Sequence, residues 1–374
     1  MKSRAILVLG MHRCGTSAIT RCLGFLGAEL GSDFLAPAGD NPTGFWEDKR
    51  FLAINRRLTE ALGEEADRWW EHCAPLEIPL SSSAVRSLVS EAAREIQRRF
   101  ASSGWWAFKD PRTLRAFPFW QEALSQAEAQ IEQVVAVRHP LACAQSLVQR
   151  DQGPEDRSLL LWTSQYLGHW PRVAARPFVA VDYDRLLEEP ERELRRLSDR
   201  LGLPWRPEAV AEARSFLRPD LRHARLEPKD LQNRFDIPPL VVETFEALKD
   251  LCIDREAKAA SARMLALHAE FRRLVPLLRT LDSQTMLAER LEREGFWQEQ
   301  MAEWRRGESA LKAKLEEARA ILAVRERELS ALQKQMVQME ASRTWRFSQR
   351  VRGLERSLRR LRKRLLGSRS DVSG

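Results

Sequence analysis

The sequence predicts an α/β protein, in which a parallel sheet with flanking helices is followed by a long helical coiled coil. All 18 prolines lie at or before Pro276, so the last 98 residues contain no helix-breaking proline. Before that point, short runs of Val, Ile, Leu and Ala alternate with helical patterns, an alternation typical of parallel sheets. With 374 residues, 44% of them hydrophobic, the chain is long enough to bury such a core.

Three strand-and-helix units can be placed in chain order. Strands at 5–10 (AILVLG), 133–140 (QVVAVRHP) and 177–184 (PFVAVDYD) precede helices at 16–27, 141–150 and 190–202. The strands lack polar alternation, which indicates burial on both faces. We therefore expect one α/β domain at 1–250, followed by a helical linker at 251–276.

The C-terminal residues show a heptad repeat. Apolar side chains recur at alternating spacings of four and three from Trp297 to Met339, and only Glu308 and Arg325 interrupt them. This repeat predicts a coiled coil at 277–342, and with it a homo-oligomer. The repeat slips by one residue after Met339 and then resumes from Phe347. The alternative is a long helix that folds back onto its own domain.

The positive charge is concentrated in the last segment. A formal net charge of +8 by itself favours a polyanionic partner, such as nucleic acid, an anionic membrane or a nucleotide. Residues 343–369 hold eleven basic side chains and one acidic one, and Asp371 adds a second acid, so residues 1–342 carry −1. We expect 343–374 to be a basic amphipathic tail that binds an anionic membrane surface, and we expect no nucleic-acid partner. A solvated continuation of the coil is the alternative.

The cysteines and the hydropathy pattern indicate the compartment. Five cysteines without a CxxC pair argue against a disulfide framework and against a zinc site, so we expect a reducing compartment and no metal. No stretch approaches 18 consecutive apolar residues. The sequence therefore predicts a cytoplasmic protein with at most peripheral membrane contact.

A glycine-containing loop directly follows the first strand. Gly10 to Ser17 (GMHRCGTS) has the G-x4-G layout of a P-loop between a strand and a helix. Gly15 lets the backbone approach a phosphate, and free N–H groups attract the anion. Thr16 replaces the lysine that nucleoside triphosphate hydrolysis requires, and Arg13 lies inside the loop. These features favour an enzyme that binds a phosphate but transfers another group, with a P-loop nucleotide kinase or other phosphoryl transferase as the alternative.

The run GMHRCGTSAITRCL resembles the 5′-phosphosulfate-binding loop of sulfotransferases, in the bacterial form that carries Arg in place of Lys. The resemblance implies 3′-phosphoadenosine 5′-phosphosulfate (PAPS) as the sulfuryl donor. It assigns donor binding to Arg13, Cys14, Gly15, Thr16 and Ser17.

A second motif resembles the 3′-phosphate site of the same family, which uses an Arg at a strand end and a Ser eight residues later. VVAVRHPLACAQS supplies Arg138 and Ser146 at that spacing. The resemblance covers about 1–250 and is specific at these two motifs.

Sulfuryl transfer requires a base for the acceptor hydroxyl and cations for the departing bridging oxygen. The segments NPTGFWED (41–48) and FKDPR (108–112) resemble segments of bacterial and Golgi-type sulfotransferases. Glu47 is the candidate base, Arg13 and Lys109 are the candidate charge stabilisers, and His12 is an alternative base. A solvated Glu47 at a helix start and a structural Lys109–Asp110 ion pair are the competing interpretations.

The tail segment SRTWRFSQRVRGL resembles the Ser-Arg-x-Trp-Arg ending of many bacterial enzymes of surface-polysaccharide assembly. This resemblance implies a carbohydrate hydroxyl as the acceptor, on a bacterial surface glycan or its lipid-linked precursor. It also implies a position at the inner face of the cytoplasmic membrane. A non-catalytic coiled-coil scaffold with a sulfotransferase-like domain is the remaining alternative.

Overall fold

The first of two compact units contains a four-stranded parallel sheet. The computed structural model describes residues 3–38, 41, 43–63, 72–218 and 226–366, and the units comprise residues 1–286 and 287–374. The strands are β1 (Arg4–Leu9), β2 (Trp105–Lys109), β3 (Gln130–Val137) and β4 (Phe178–Asp182). Their order in the sheet is β2-β1-β3-β4, and every pair is parallel. The predicted fold class is confirmed.

Helices connect and flank these strands. They are α1 (Thr16–Phe25), α2 (Lys49–Ala61), α3 (Ser83–Phe100), α4 (Phe117–Gln126), α5 (Pro140–Asp151), α6 (Glu155–Leu167), α7 (Trp170–Ala174), α8 (Tyr183–Glu188), α9 (Pro190–Leu201), α10 (Glu208–Phe216), α11 (Pro228–Gln232) and α12 (Pro239–Leu251). The last two helices are α13 (Ala257–Ala341) and α14 (Arg343–Leu366).

β1 lies in the interior of the sheet and is buried on both faces. It pairs with β2 from Arg4 opposite Trp105 to Val8 opposite Lys109, and with β3 along its other edge. The apolar residues of β1 are at most 1% exposed. The sequence patterns predict β1, β3 and β4 but not β2. The five residues of β2 include three aromatic side chains and form a short edge strand that lacks the Val, Ile and Leu run of the other three.

An aromatic cluster holds β2 against its helices. The rings of Phe100 (α3) and Trp106 (β2) are stacked with their centroids 4.3 Å apart. Phe51 (α2) contacts Phe108 (β2) and Trp120 (α4), with centroid distances of 4.9 and 5.2 Å. Because all five side chains are buried, the carboxyl end of β2 is held in a fixed position.

The first part of α13 is packed into the sheet unit. Met264 and Phe271 are fully buried. The Asp282 carboxylate accepts hydrogen bonds from the backbone N–H groups of Cys73 (2.8 Å) and Ala74 (2.7 Å). The division of the chain falls after Met286. The predicted bounds of the linker (251–276), coil (277–342) and tail (343–374) stay predictions.

The second unit is helical over its described residues, 287–366, with one break in that range. α13 ends at Ala341 and α14 begins at Arg343. At the break, the Ser342 hydroxyl donates to the Met339 carbonyl (2.8 Å). The break falls where the heptad repeat slips between Met339 and Phe347. No helix among the described residues is long and apolar enough to cross a membrane.

Candidate active site

Residues that follow the four strands line one cavity of about 680 Å³. His12 lies in the loop after β1, Pro111 lies shortly after β2, Arg138 directly follows β3 and Tyr183 directly follows β4. Ligands of open α/β sheets bind at the carboxyl ends of the strands, and this volume suits a small-molecule substrate. The cavity is therefore the candidate active site.

The loop between β1 and α1 presents backbone N–H groups to this cavity. Arg13 and Gly15 both adopt the left-handed conformation, with φ of 67° and 82°. α1 begins at Thr16, and no side chain among the described residues caps it. Thr16 and Ser17 line the cavity. The uncapped N–H groups and the positive end of the helix dipole are thus available to an anion.

Glycine is required at position 15 for two reasons. Its backbone is left-handed, which disfavours other residues. A Cβ at Gly15 would also overlap the ring of Tyr183. The guanidinium of Arg138 lies 5.0 Å from the centroid of the same ring. Tyr183 therefore packs against both anion-binding segments.

Three contacts join the two predicted phosphate motifs into one site. The Arg138 guanidinium donates from Nη1 to the Arg13 carbonyl (2.7 Å), and Arg13 donates from Nε to the Ser146 hydroxyl (2.7 Å). The Sγ atoms of Cys14 and Cys143 lie 3.2 Å apart, and both thiols are free and buried. Nε of Arg138 is buried and has no hydrogen-bond partner in the described part of the chain.

The predicted site residues lie together with one exception. Those that line the cavity are His12, Arg13, Gly15, Thr16, Ser17, Glu47, Lys109, Arg138 and Ser146. The Cys14 side chain does not line the cavity, because it is fully buried against Cys143. Only the backbone of Cys14 is left for the donor-binding role that the sequence resemblance assigns to it.

Glu47 and Lys109 form a buried ion pair at the cavity. Lys109 Nζ lies 2.6 Å from Glu47 Oε1 and donates a second hydrogen bond to the Phe45 carbonyl (2.9 Å). Glu47 is only 5% exposed, so it is buried rather than solvated. Glu47 immediately precedes Asp48, the N-cap of α2, and this cap fixes the backbone next to Glu47. Among the described contacts, Lys109 thus pairs with Glu47 at the cavity wall, and not with its neighbour Asp110.

Asp110 instead fixes Arg112. Its carboxylate accepts hydrogen bonds from the Arg112 guanidinium (2.9 Å) and from the side-chain amide of Asn55 (2.9 Å). Asn55 in turn accepts a hydrogen bond from the Trp120 indole (2.9 Å). Arg112 Nη1 also lies 3.9 Å from the second carboxylate oxygen of Glu47. A buried chain of hydrogen bonds therefore positions a cation beside the candidate base.

His12 lies among cations and is held neutral. Burial, followed by the positive charges of Arg150, Arg112, Lys109 and Arg13, places its pKa well below the ordinary value. A proton taken up by this imidazole would create a further positive charge beside four others. The geometry therefore disfavours the protonated form that a base at His12 would produce.

The cavity is strongly cationic. Among the described residues, its lining carries five basic side chains (Arg13, Lys109, Arg112, Arg138 and Arg150) and one carboxylate, that of Glu47. Such a lining suits a ligand with several negative charges. The described residues contain no group of three or more His, Cys, Asp or Glu side chains placed to hold a metal ion.

Sequence reasoning gave no role to Arg112, Arg150 or Tyr183. Signals for them exist in the sequence: Arg150 lies four residues after Ser146 and so on the same face of α5, and Tyr183 follows the last strand. Arg112 lies after β2, and its position could not be inferred without that strand.

The fold and the site define an α/β enzyme with a P-loop-like anion site that lacks the NTPase lysine. The family model described as "Sulfotransferase family" matches residues 5–207, which is more than half of the chain. The chain therefore belongs to the sulfotransferase family. This membership makes it a sulfotransferase and implies a sulfuryl donor.

Comparison with solved structures gives distant matches. The sulfotransferase domain of a Synechococcus olefin synthase is 16% identical, with 73% of this chain and 96% of that chain covered and a TM-score of 0.36. The sulfotransferase domain of the curacin biosynthetic pathway is 15% identical (60% and 81% covered, TM-score 0.35). A Mycobacterium tuberculosis sulfotransferase is also 15% identical (57% and 71% covered, TM-score 0.33). No protein with a curated description matches the chain.

Proposed function

We propose that this protein transfers the sulfuryl group of PAPS to a carbohydrate hydroxyl. The observation that carries the proposal is the convergence of both phosphate motifs on one cavity, through the contacts of Arg138 with the Arg13 carbonyl and of Arg13 with Ser146. Two separate phosphate sites suit a donor with a 3′-phosphate and a 5′-phosphosulfate. The excess of cationic side chains supports the same ligand.

In this proposal, each motif binds one end of the donor. The loop at Arg13 to Ser17, with the N-terminus of α1, holds the 5′-phosphosulfate. Arg138 and Ser146 hold the 3′-phosphate. The buried, unpartnered Nε of Arg138 provides a donor for that phosphate.

The acceptor hydroxyl attacks the sulfur opposite the bridging oxygen. A new S–O bond forms, the bond between sulfur and the bridging oxygen breaks, and the 5′-phosphate oxygen takes the electron pair. Lys109 and Arg13 stabilise that charge. Glu47 accepts the hydroxyl proton; its buried position and its ion pair keep the carboxylate oriented toward the cavity.

The tail supports an acceptor presented at a membrane surface. In α14, an exposed apolar stripe comprises Phe347, Val351, Leu354, Leu358 and Leu361. Nine arginines share the helix: Arg343, Arg346, Arg350, Arg352, Arg356, Arg359, Arg360, Arg362 and Arg364. A helix of this composition lies in the headgroup region of anionic bilayers. We propose that the tail brings the enzyme to a lipid-linked or growing glycan at the inner face of the cytoplasmic membrane.

The acceptor proposal is tested with PAPS that carries a labelled sulfate. Purified protein is incubated with this donor and with cell-surface glycans or their lipid-linked precursors, and the products are examined by intact mass. We expect a sulfate increment on a carbohydrate, and its loss with Glu47→Gln. Transfer to protein or small-molecule acceptors alone would contradict the carbohydrate assignment.

The membrane proposal is tested by flotation with anionic liposomes. We expect the full chain to float, and a chain without 340–374 to remain at the bottom with its donor affinity unchanged. A variant with Leu354→Ser and Leu358→Ser keeps the charge and separates the apolar from the electrostatic contribution. Equal flotation of full-length and truncated protein would overturn the proposal.

A further inference from the structure

The heptad face of the second unit is exposed along its whole length. Apolar side chains at the seam positions are between 46% and 70% exposed: Trp297, Met301, Trp304, Leu311, Leu315, Leu322, Leu329, Leu332, Met336 and Met339. An isolated helix has no means of burying such a face, and heptad seams are buried by a second helix. The repeat alone does not determine whether the partner helix runs parallel or antiparallel, or in which register it pairs.

The two charged residues in the seam decide between the directions. When the seven positions of the heptad are lettered a to g, with a and d forming the seam, Glu308 occupies an a position and Arg325 occupies a d position. In a parallel, in-register pair of identical helices, each residue faces its own copy. Glu308 would then face Glu308 and Arg325 would face Arg325 at the centre of the seam. The flanking g and e positions would add repulsion between Lys314 and Arg319.

An antiparallel pair removes these conflicts in one register. In antiparallel coils, an a residue of one helix faces a d residue of the other. When the symmetry axis passes between Glu316 and Glu317, Glu308 faces Arg325 of the second copy, and this pairing occurs twice. Registers shifted by one heptad place both charges opposite apolar residues instead.

The same register matches the rest of the seam without a gap. Its apolar layers pair Trp297 with Met336, Met301 with Leu332, Trp304 with Leu329, Leu311 with Leu322, and Leu315 with Ala318. Large indole side chains face flexible or aliphatic partners, and the smallest residue lies next to the axis. The matched stretch, 297–336, spans about 60 Å of helix at 1.5 Å per residue.

In this register, the charged residues beside the seam form one favourable and one unfavourable kind of contact. At the e positions, Arg305 faces Glu326 favourably, whereas Lys312 faces Arg319. Within the helix, Lys312 pairs with Glu308 (2.9 Å) and Arg319 with Glu316 (2.8 Å). These intrahelical pairs offset the like charges near the axis, and Glu308 retains a second carboxylate oxygen for Arg325 of the other copy. Buried ion pairs of this kind set register more than they add stability.

We propose that residues 297–336 form an antiparallel two-stranded coiled coil with a second copy of this chain, in which Glu308 and Arg325 pair across the interface. The proposal concerns the second unit and does not depend on the sulfuryl acceptor or donor.

Charge reversal in the full-length protein tests the direction. Glu308→Arg alone and Arg325→Glu alone should each weaken the dimer, measured by sedimentation equilibrium at low salt, by about tenfold or more, since each reversal turns two attractions into repulsions. The double variant should recover most of the lost affinity, because the pairing between the copies is restored while the intrahelical Glu308–Lys312 and Arg325–Glu328 pairs stay lost. Glu317→Arg, the same change on the outward face, should have no such effect. In a parallel coil, where positions 308 and 325 do not meet, the double variant would recover no affinity relative to the single variants, and that result would overturn the proposal.

Cysteine cross-linking provides a second readout that does not rely on affinity. The five native cysteines are buried. With Trp304→Cys and Leu329→Cys in one chain, mild oxidation should link position 304 to position 329 of the other copy, as identified by peptide mass. Leu329→Cys alone should give no covalent dimer. A 329–329 cross-link, a monomer at all concentrations, or a trimer or tetramer would each overturn the proposal.

Discussion

The Glu47–Lys109 pair is the residue-scale feature on which the chemistry depends. At 2.6 Å and almost completely buried, it places a carboxylate and an ammonium group beside the same cavity. Lys109 lies at the end of β2, while Glu47 lies just before α2. The pair therefore joins two elements that are distant in sequence.

Glu47→Gln should lower the rate of sulfate transfer strongly while the donor still binds. A general base contributes about 10² to 10⁴ in rate, and the amide keeps the shape but accepts no proton. The measurement is labelled-sulfate transfer alongside donor affinity. Glu60→Gln, on the exposed face of α2, is the control. A variant at position 47 with wild-type transfer would remove Glu47 from the mechanism.

Individual residues also show which features of the site could be predicted from the sequence. The motifs at 10–17 and 138–146 are local in sequence, so both could be recognised there: the first by its P-loop layout, the second by its resemblance to the 3′-phosphate site of sulfotransferases. Their direct contacts could not be predicted, because they depend on the neighbouring positions of β1 and β3. The burial of Cys14 against Cys143 could likewise not be predicted, because the sequence of a loop does not show which of its side chains point into the core.

At the scale of elements, the phosphate loop depends on a close approach of α1 and α8. Gly15→Ala should reduce affinity for adenosine 3′,5′-bisphosphate by about tenfold or more, because the new Cβ strains a left-handed backbone and displaces Tyr183. Calorimetry measures the change. Gly104→Ala is the matched control, since nothing lies within 4 Å of its Cβ. Equal losses for the two variants would contradict this explanation.

The start of α13 is held by Asp282. Asp282→Ala should lower the free energy of unfolding of the first unit by about 1–3 kcal/mol, because the buried N–H groups of Cys73 and Ala74 lose their acceptor. Urea denaturation measures this change, with the exposed Asp199→Ala as the control. If both variants unfold at the same urea concentration as the wild type, α13 is not anchored there.

Elements differed in how far sequence could predict them. Strands rich in Val, Ile and Leu were recognisable, whereas β2 was not, because Trp105, Trp106 and Phe108 also suit a core or a binding surface. The break at Ser342 was not predicted from the sequence, although it lies in the stretch between Met339 and Phe347 where the heptad repeat slips.

At the scale of the whole molecule, three histidines make stability depend on pH: His139 and His169 are buried, and His12 is half-buried at the cavity. Burial lowers the pKa of His139 to about 4 and of His169 to about 3, and His12 lies well below the ordinary 6.5. Below pH 6.5 the unfolded chain binds protons that the folded chain does not. The free energy of unfolding should therefore fall as the pH decreases, by up to ~1.4 kcal/mol per pH unit for each histidine.

Urea denaturation between pH 7 and pH 5 checks this expectation. His169→Asn should flatten the dependence, because it removes one of the groups that titrate only in the unfolded chain. A wild type whose stability is constant over this range would contradict the assignment of neutral histidines, and so would a variant with an unchanged slope.

Titration calorimetry with adenosine 3′,5′-bisphosphate tests whether the cavity binds a donor with a separate 3′-phosphate. We expect one site per chain with micromolar affinity and at least about tenfold weaker binding of adenosine 5′-monophosphate, which lacks the 3′-phosphate. Arg138→Ala should lose the difference between the two nucleotides, while the exposed Arg86→Ala should keep it. No binding, or equal affinity of the wild type for both nucleotides, would contradict the account.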